Sequence, residues 1–250
     1  MRGNVAVAGR LTGAIEAVPT GWYLPWGGFG GQLPHFFSVN SARAVRNCSL
    51  PMTDIHPIYA KMLSSAEREK KLRQRAKVVW LYGLSGSGKS TLATALESRL
   101  FADGFVTTHL DGDNLRDGLN RGLGFSDADR EENIRRVAEV SKLIVQSGIV
   151  CLNSFITPRE SLRQLARGIL GKENLLEIYV ECSFATCRRR DVKGLYQKVE
   201  AGLVPNFTGK ESAFEPPARP HLVLNTETTP LEDSLESLYS FVVGHIRIAS

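Results

Sequence analysis

One segment constrains this chain more than any other. Gly83-Leu84-Ser85-Gly86-Ser87-Gly88-Lys89-Ser90 matches the pattern G-x-x-x-x-G-K-[ST] at every fixed position. Lys77 to Tyr82 reads as a short buried strand entering it. Thr91 to Leu100 carries helical spacing leaving it. Strand, glycine loop and helix are what phosphate binding requires. Backbone N–H groups converge on the anion's oxygens, and the helix N-terminus adds its positive dipole end. Glycines let the backbone approach the anion and take positive φ. In this pattern Lys89 reaches the β- and γ-phosphates of a nucleoside triphosphate, and the Ser90 hydroxyl ligates Mg²⁺. A glycine-rich turn that binds nothing is the alternative. The strand and helix on either side and the Lys-Ser pair count against it.

Composition bounds the rest. A chain of 250 residues with 42% hydrophobic content suits one α/β domain plus an appendage. No apolar run approaches the ~18 residues of a membrane span. Of the net charge of +5, residues 1–51 supply +3, from Arg2, Arg10, Arg43 and Arg46 against Glu16. The remainder makes no case for nucleic acid; some positive charge suits an anionic substrate without establishing one. Cys48, Cys151, Cys182 and Cys187 form no C-x-x-C. They read as reduced and intracellular, with neither a zinc site nor a disulfide framework.

Residues 1–51 differ from the rest of the chain. They hold no lysine, one acidic residue and the aromatic patch Trp22, Tyr23, Trp26 and Phe29 amid glycines. The expectation is an irregular extension: a tail, upstream sequence translated from a misassigned start with Met52 opening the enzyme-like part, or a transit-like segment. The expected location is cytoplasmic, with organelle targeting by this segment left open. Residues 52–250 read as the enzyme. Ser64 and Glu67 form a capping box before a charged helix. Strands are expected at Val106–Leu110, Ile149–Leu152, Leu176–Val180 and His221–Asn225. Helices are expected at Asp127–Gln146, Pro158–Leu170 and Pro230–Ile246. Ile134, Val137, Val140, Leu143 and Ile144 are taken as the inner face of the long helix. The alternation implies a parallel sheet with helices on both faces, a P-loop NTPase-type α/β fold. Ligands then bind beyond the carboxyl ends of the strands.

The second strand ends in Asp111-Gly112-Asp113-Asn114, two carboxylates at the sheet edge that carries the phosphate loop. Phosphoryl transfer to a hydroxyl needs a placed Mg²⁺ and a proton acceptor. Asp111 and Asp113 can supply both, and the sequence does not separate the roles. The alternative is an Asp-Gly turn with an Asn cap. Arg116 and Arg130 offer forks for phosphate or sulfate oxygens, and Phe125 a face for a base. Arg135 and Arg136 read as a solvated helix face paired with glutamates. A basic stretch from Arg188 leads into an irregular region that suits a lid over triphosphate.

These segments occur in an order that resembles one family. G-L-S-G-S-G-K-S-T, L-D-G-D-N-x-R, G-F-S-D-A-D-R-x-E-N-I-R-R-V, S-F-I-[ST]-P, R-D-x-K-G-L-Y and N-F-T-G together look like adenylylsulfate kinase, from about Asp54 to Ile246. The resemblance implies transfer of the ATP γ-phosphate to the 3′-hydroxyl of adenosine 5′-phosphosulfate (APS), with Mg²⁺, in a homodimer. It implies that Gly83 to Thr91 bind ATP phosphates, with Arg190 on the ATP side of the lid. Asp113, Asn114, Leu115 and Arg116 would line the APS site, with Phe125 and Phe207 around its adenine. Arg130 and Asn133 would hold the phosphosulfate. Ile156, Thr157, Lys193 and Asn206 match further substrate contacts. Thr157 stands where bacterial members commonly have a serine sometimes assigned as a phosphorylated intermediate. Direct in-line transfer needs no such intermediate. Lys77 stands where plant members can carry a regulatory cysteine, so thiol control is not expected. The alternatives are a P-loop kinase of another small hydroxyl-bearing metabolite and a non-catalytic nucleotide-binding module. The chain has no N-K-x-D guanine motif. Intact Lys89, Ser90, Asp111 and Asp113 argue for catalysis.

Overall fold

A computed structural model describes residues 56, 58, 61–191, 194–200, 208 and 213–248. All named elements fall in one unit, Pro57–Ser250. The expectations for residues 1–51 lie outside the described residues.

Five strands form one sheet: β1 (Val78–Tyr82), β2 (Thr107–Asp111), β3 (Val150–Ser154), β4 (Leu175–Glu181) and β5 (Leu222–Asn225). The order is β2-β3-β1-β4-β5, and every pairing is parallel. The helices are α1 (Ser65–Leu72), α2 (Lys89–Ala102), α3 (Gly112–Asp117), α4 (Asp127–Gln146), α5 (Glu160–Leu170), α6 (Phe184–Arg190), α7 (Leu195–Glu200) and α8 (Leu231–Ile246). Expected boundaries shift by one or two residues at most strand ends, and β3 runs on to Ser154. Sequence reading missed α3. The segment after Asp111 is a helical turn rather than an Asp-Gly turn with an Asn cap, because the Asp111 carboxylate itself caps it through the Asp113 N–H.

The central strand β1 is buried at every residue, as a strand covered on both faces must be. Its alternation splits the core in two. Val79 and Leu81 pack with Leu92, Leu96 and Leu238 of α2 and α8. Val78, Trp80 and Tyr82 pack with Ile134, Val137 and Leu162 of α4 and α5. The expected inner face of α4 needs one correction. Leu143 is 56% exposed, while Val145 is buried. At 3.6 residues per turn, Leu143 lies about 180° around the helix from Ile134. Hydrophobicity alone misassigned it. The capping box of α1 is present, with Ser64 and Glu67 each bonded to the other's backbone. Among the described cysteines, Cys151, Cys182 and Cys187 are buried free thiols. Burial pushes Cys151 and Cys187 up to about 12, so their reactive thiolates are scarce.

Candidate active site

The phosphate loop leaves the carboxyl end of β1 and turns into α2 on Gly88, whose φ of 99° lies in the left-handed region. Gly83 has no room for a side chain. A Cβ there would stand 2.3 Å from the Val180 carbonyl oxygen. β1 and β4 can therefore pair up to the foot of the loop only because this residue is glycine. Lys89 is 8% exposed, and its Nζ donates to the Leu84 carbonyl at 2.6 Å. Ser87 is buried and its carbonyl accepts from Thr226 Oγ1 at 2.7 Å. Tyr196 Oη on α7 donates to the Ser85 carbonyl at 2.8 Å. The loop is thus braced from β5 and from the basic stretch, through residues that sequence reading did not assign to the site.

Beside the loop, Ser90 Oγ donates to Asp111 Oδ2 at 2.7 Å. Ser154 Oγ donates to the same oxygen at 2.6 Å, and the Asp113 N–H donates to Oδ1 at 3.0 Å. Asp111 is consequently held in place from the loop, from β3 and from α3. Asp113 is exposed and lines the cavity. The two carboxylates that the sequence left equivalent therefore differ in surroundings.

One cavity of about 660 Å³ joins the loop to the acceptor side. Gly86, Lys89, Ser90 and Thr91 form one end, with Arg190, Thr226 and Pro230 nearby. Arg190 reaches the Thr226 carbonyl at 2.6 Å. Asp113, Arg116, Phe125, Arg130, Asn133, Ile156 and Thr157 line the other end. The Arg116 guanidinium sits 4.3 Å over the Phe125 ring and donates to the Leu123 and Gly124 carbonyls. Arg130 donates to the Phe125 carbonyl and to Thr208 Oγ1, each at 3.0 Å. Burial, then the like charges of Arg116 and Arg159, hold Arg130 below the ordinary arginine value. Burial likewise lowers Arg116. Both guanidiniums remain charged, so this wall is electrostatically matched to an anion. Asn133 Oδ1 accepts from the buried Asn120 Nδ2 at 2.9 Å, which leaves its amide nitrogen for the cavity.

Asn114 and Leu115 are not among the residues that line this cavity. Asn114 is exposed on α3, and Leu115 packs on the core below it. Lys193, Asn206 and Phe207 lie outside the described residues. Thr157 is 2% exposed, has a φ of 40° and accepts from Trp80 Nε1 at 3.0 Å. Sequence reading also missed Thr226, Thr229 and Pro230, which come directly after β5. The rule that ligands bind past the carboxyl ends of strands covers them, but the loop's composition does not single them out.

A parallel sheet with the phosphate loop on its central strand, a carboxylate paired with the loop serine, and a basic acceptor cavity together define a P-loop kinase of a small molecule. The family model described as adenylylsulphate kinase matches residues 75–225. An adenylyl-sulfate kinase of Phocaeicola vulgatus is 50% identical over 190 residues, covering 76% of this chain and 93% of that one. The Mycobacterium tuberculosis APS kinase solved in complex with AMPPNP and APS superposes with a TM-score of 0.65 at 39% identity, covering 67% of this chain and 98% of that chain. A hexameric APS kinase from Thiobacillus denitrificans superposes at 0.52 with 27% identity, covering 69% of this chain and 29% of that one. The chain belongs to the adenylylsulfate kinase family. It is an ATP-using enzyme that phosphorylates the 3′-hydroxyl of APS to give 3′-phosphoadenylyl sulfate.

Proposed function

We propose that the cavity holds ATP and APS end to end and that the chain's own residues divide the work between them. The observation that carries this reading is the contrast between Asp111, bound by Ser90 at 2.7 Å, and Asp113, exposed on the cavity wall. Gly86 to Thr91 cradle the phosphates through backbone N–H groups and the start of α2. Lys89 leaves the Leu84 carbonyl to meet the γ-phosphate and stabilises the charge that develops on it. Phe125 stacks on the adenine of APS, with Arg116 covering the ring's other side. Arg130 and Asn133 take the phosphosulfate. Asp113 accepts the 3′-hydroxyl proton as that oxygen bonds to the γ-phosphorus and the bond to the bridging oxygen of ADP breaks.

Ser90 and Asp111 present hard oxygen donors side by side, which suits Mg²⁺. Bound there, the ion would neutralise charge on the β- and γ-phosphate oxygens. Among the described residues no group of three or more His, Cys, Asp or Glu could hold a metal. An ion that keeps waters and phosphate oxygens as ligands needs no such cage. Ile156, Thr157, Lys193, Asn206, Phe207 and Arg190 complete the proposed site by family resemblance. A cytoplasmic homodimer belongs to the same proposal. No described helix is long and apolar enough to cross a membrane, and the hexameric Thiobacillus denitrificans relative is an oligomer.

The test is turnover with ATP against APS, adenosine 5′-monophosphate and gluconate, reading ADP release and the phosphorylated product. APS is expected to give by far the largest kcat/KM. Faster phosphorylation of either other acceptor would overturn the acceptor assignment.

A further inference from the structure

Asp111 makes more contacts than metal binding and phosphoryl transfer require. Ser90 and Ser154 both spend their hydroxyl protons on Asp111 Oδ2. Ser154 Oγ in turn lies 2.9 Å from His109 Nε2. Since the only proton on Ser154 Oγ already points at the carboxylate, the histidine must be the donor in this contact. That fixes His109 in the tautomer with hydrogen on Nε2. Its other nitrogen, Nδ1, stands 3.9 Å from Glu97, too far for a hydrogen bond. The imidazole is largely buried, and burial holds its pKa below the ordinary histidine value, in keeping with a neutral ring. The chain of donors therefore has a direction, from His109 to Ser154 to Asp111.

The direction matters because Ser90 has two duties. Its oxygen can give a lone pair to an ion while its proton still points at Asp111, so an ion that draws on Ser90 also pulls on the carboxylate. Against that pull Asp111 is held by Ser154 on Oδ2 and by the Asp113 N–H on Oδ1. Ser154 sits on β3, across the β2–β3 pairing that sets Asp111 opposite it, and its bond to Oδ2 does not depend on Ser90. We propose that His109 and Ser154 are positioning residues for phosphoryl transfer: the directed pair His109–Ser154 keeps Asp111 aimed from β3 while Ser90 also serves Mg²⁺. Neither residue touches substrate in this role. The inference rests on the reading of Asp111 as the residue that organises the ion.

Two measurements test it. The first needs no metal and no turnover: ¹⁵N-histidine NMR of the unliganded protein, with the His109 signals assigned by their loss in His109→Gln. Hydrogen on Nε2 is expected, and hydrogen on Nδ1 overturns the proposal. The second is the Mg²⁺ dependence of turnover in Ser154→Ala, His109→Leu, His109→Gln and Asp111→Asn. Groups that orient a metal-organising residue from behind are worth roughly 10–100-fold. Ser154→Ala and His109→Leu should therefore raise the Mg²⁺ concentration for half-maximal rate about tenfold, with KM for APS within about twofold of wild type. His109→Gln, which keeps an N–H donor, should recover most of the loss. Wild-type Mg²⁺ dependence in Ser154→Ala and His109→Leu, alongside an altered one in Asp111→Asn, overturns the relay alone. Unchanged dependence in all three overturns the metal reading of Asp111 and the relay with it. Equal impairment of His109→Gln and His109→Leu also overturns it. Should His109→Leu fail to fold, Ser154→Ala and the wild-type tautomer decide between the same outcomes.

Discussion

Trp80 Nε1 donates to Thr157 Oγ1 across 3.0 Å inside the core, between the middle of β1 and the loop that joins β3 to α5. Thr157 is 2% exposed and takes a φ of 40°, a conformation unfavourable for a β-branched residue. A phosphoryl group on this hydroxyl would bring about two negative charges against the indole. Thr157 should therefore stay unmodified during turnover. Peptide mass spectrometry of the enzyme quenched in mid-reaction checks this, and stoichiometric phosphothreonine at 157 would refute direct transfer. Thr157→Val should leave the indole N–H without its acceptor and destabilise the fold by about 1–3 kcal/mol, read by urea denaturation.

Lys89→Ala should lower kcat by roughly 10²–10³ while the protein still folds. The side chain meets the Leu84 carbonyl rather than the hydrophobic layers, so the far-UV spectrum should not change. Turnover within about threefold of wild type would remove Lys89 from the mechanism.

Asp113→Asn should lower kcat by roughly 10²–10⁴ at any Mg²⁺ concentration, because a lost proton acceptor is not replaced by metal. Asp111→Asn should instead be partly rescued by excess Mg²⁺. The exposure of Asp113 motivates the split, as do the bonds that Ser90, Ser154 and the Asp113 N–H donate to Asp111. The opposite pattern in a Mg²⁺ titration would exchange the two roles.

Phe125→Ala should weaken APS much more than ATP. Stacking on an aromatic face is worth about 1–3 kcal/mol per base by alanine substitution in single-stranded nucleic acid, and an adenine on Phe125 presents the same face-to-face contact. Phe125 is half-exposed beside Arg116, which covers its ring at 4.3 Å. Calorimetric titration with unchanged APS affinity would contradict the stack.

A chain beginning at Met52 should keep its melting temperature and its turnover. Every element described begins at Ser65 or later, and the family match starts at residue 75. A large drop in either measurement would make residues 1–51 an integral part of the enzyme. The aromatic residues from Trp22 to Phe37 would be the first suspects.

Much of the fold is legible in the residues because local rules agree with the final packing. Val78-Val79-Trp80-Leu81-Tyr82 has no polar face, so it had to be a central strand. Ser126 and Asp129 mark the start of α4, and its predicted ends agree with those observed. Leu143 failed because apolar character was read without its angle around the helix. Helix α3 failed because its cap is a site residue: Asp111 spends one oxygen on Asp113 N–H, and a six-residue helix carries little periodicity of its own.

The sequence by itself determined the phosphate loop, the parallel α/β architecture and the acceptor motifs. These are encoded in contiguous residues whose chemistry does not depend on distant partners. Only the tertiary structure decided how the two carboxylates differ, where the Thr157 hydroxyl points and which way the His109–Ser154 contact donates. Those answers turn on Ser90, Asp111 and Ser154 meeting from three separate elements, and on Trp80 and Thr157 meeting although 77 positions apart. Hydrogen-bond direction depends on which groups stand within about 3 Å, and sequence spacing carries no record of that once the chain has crossed the sheet.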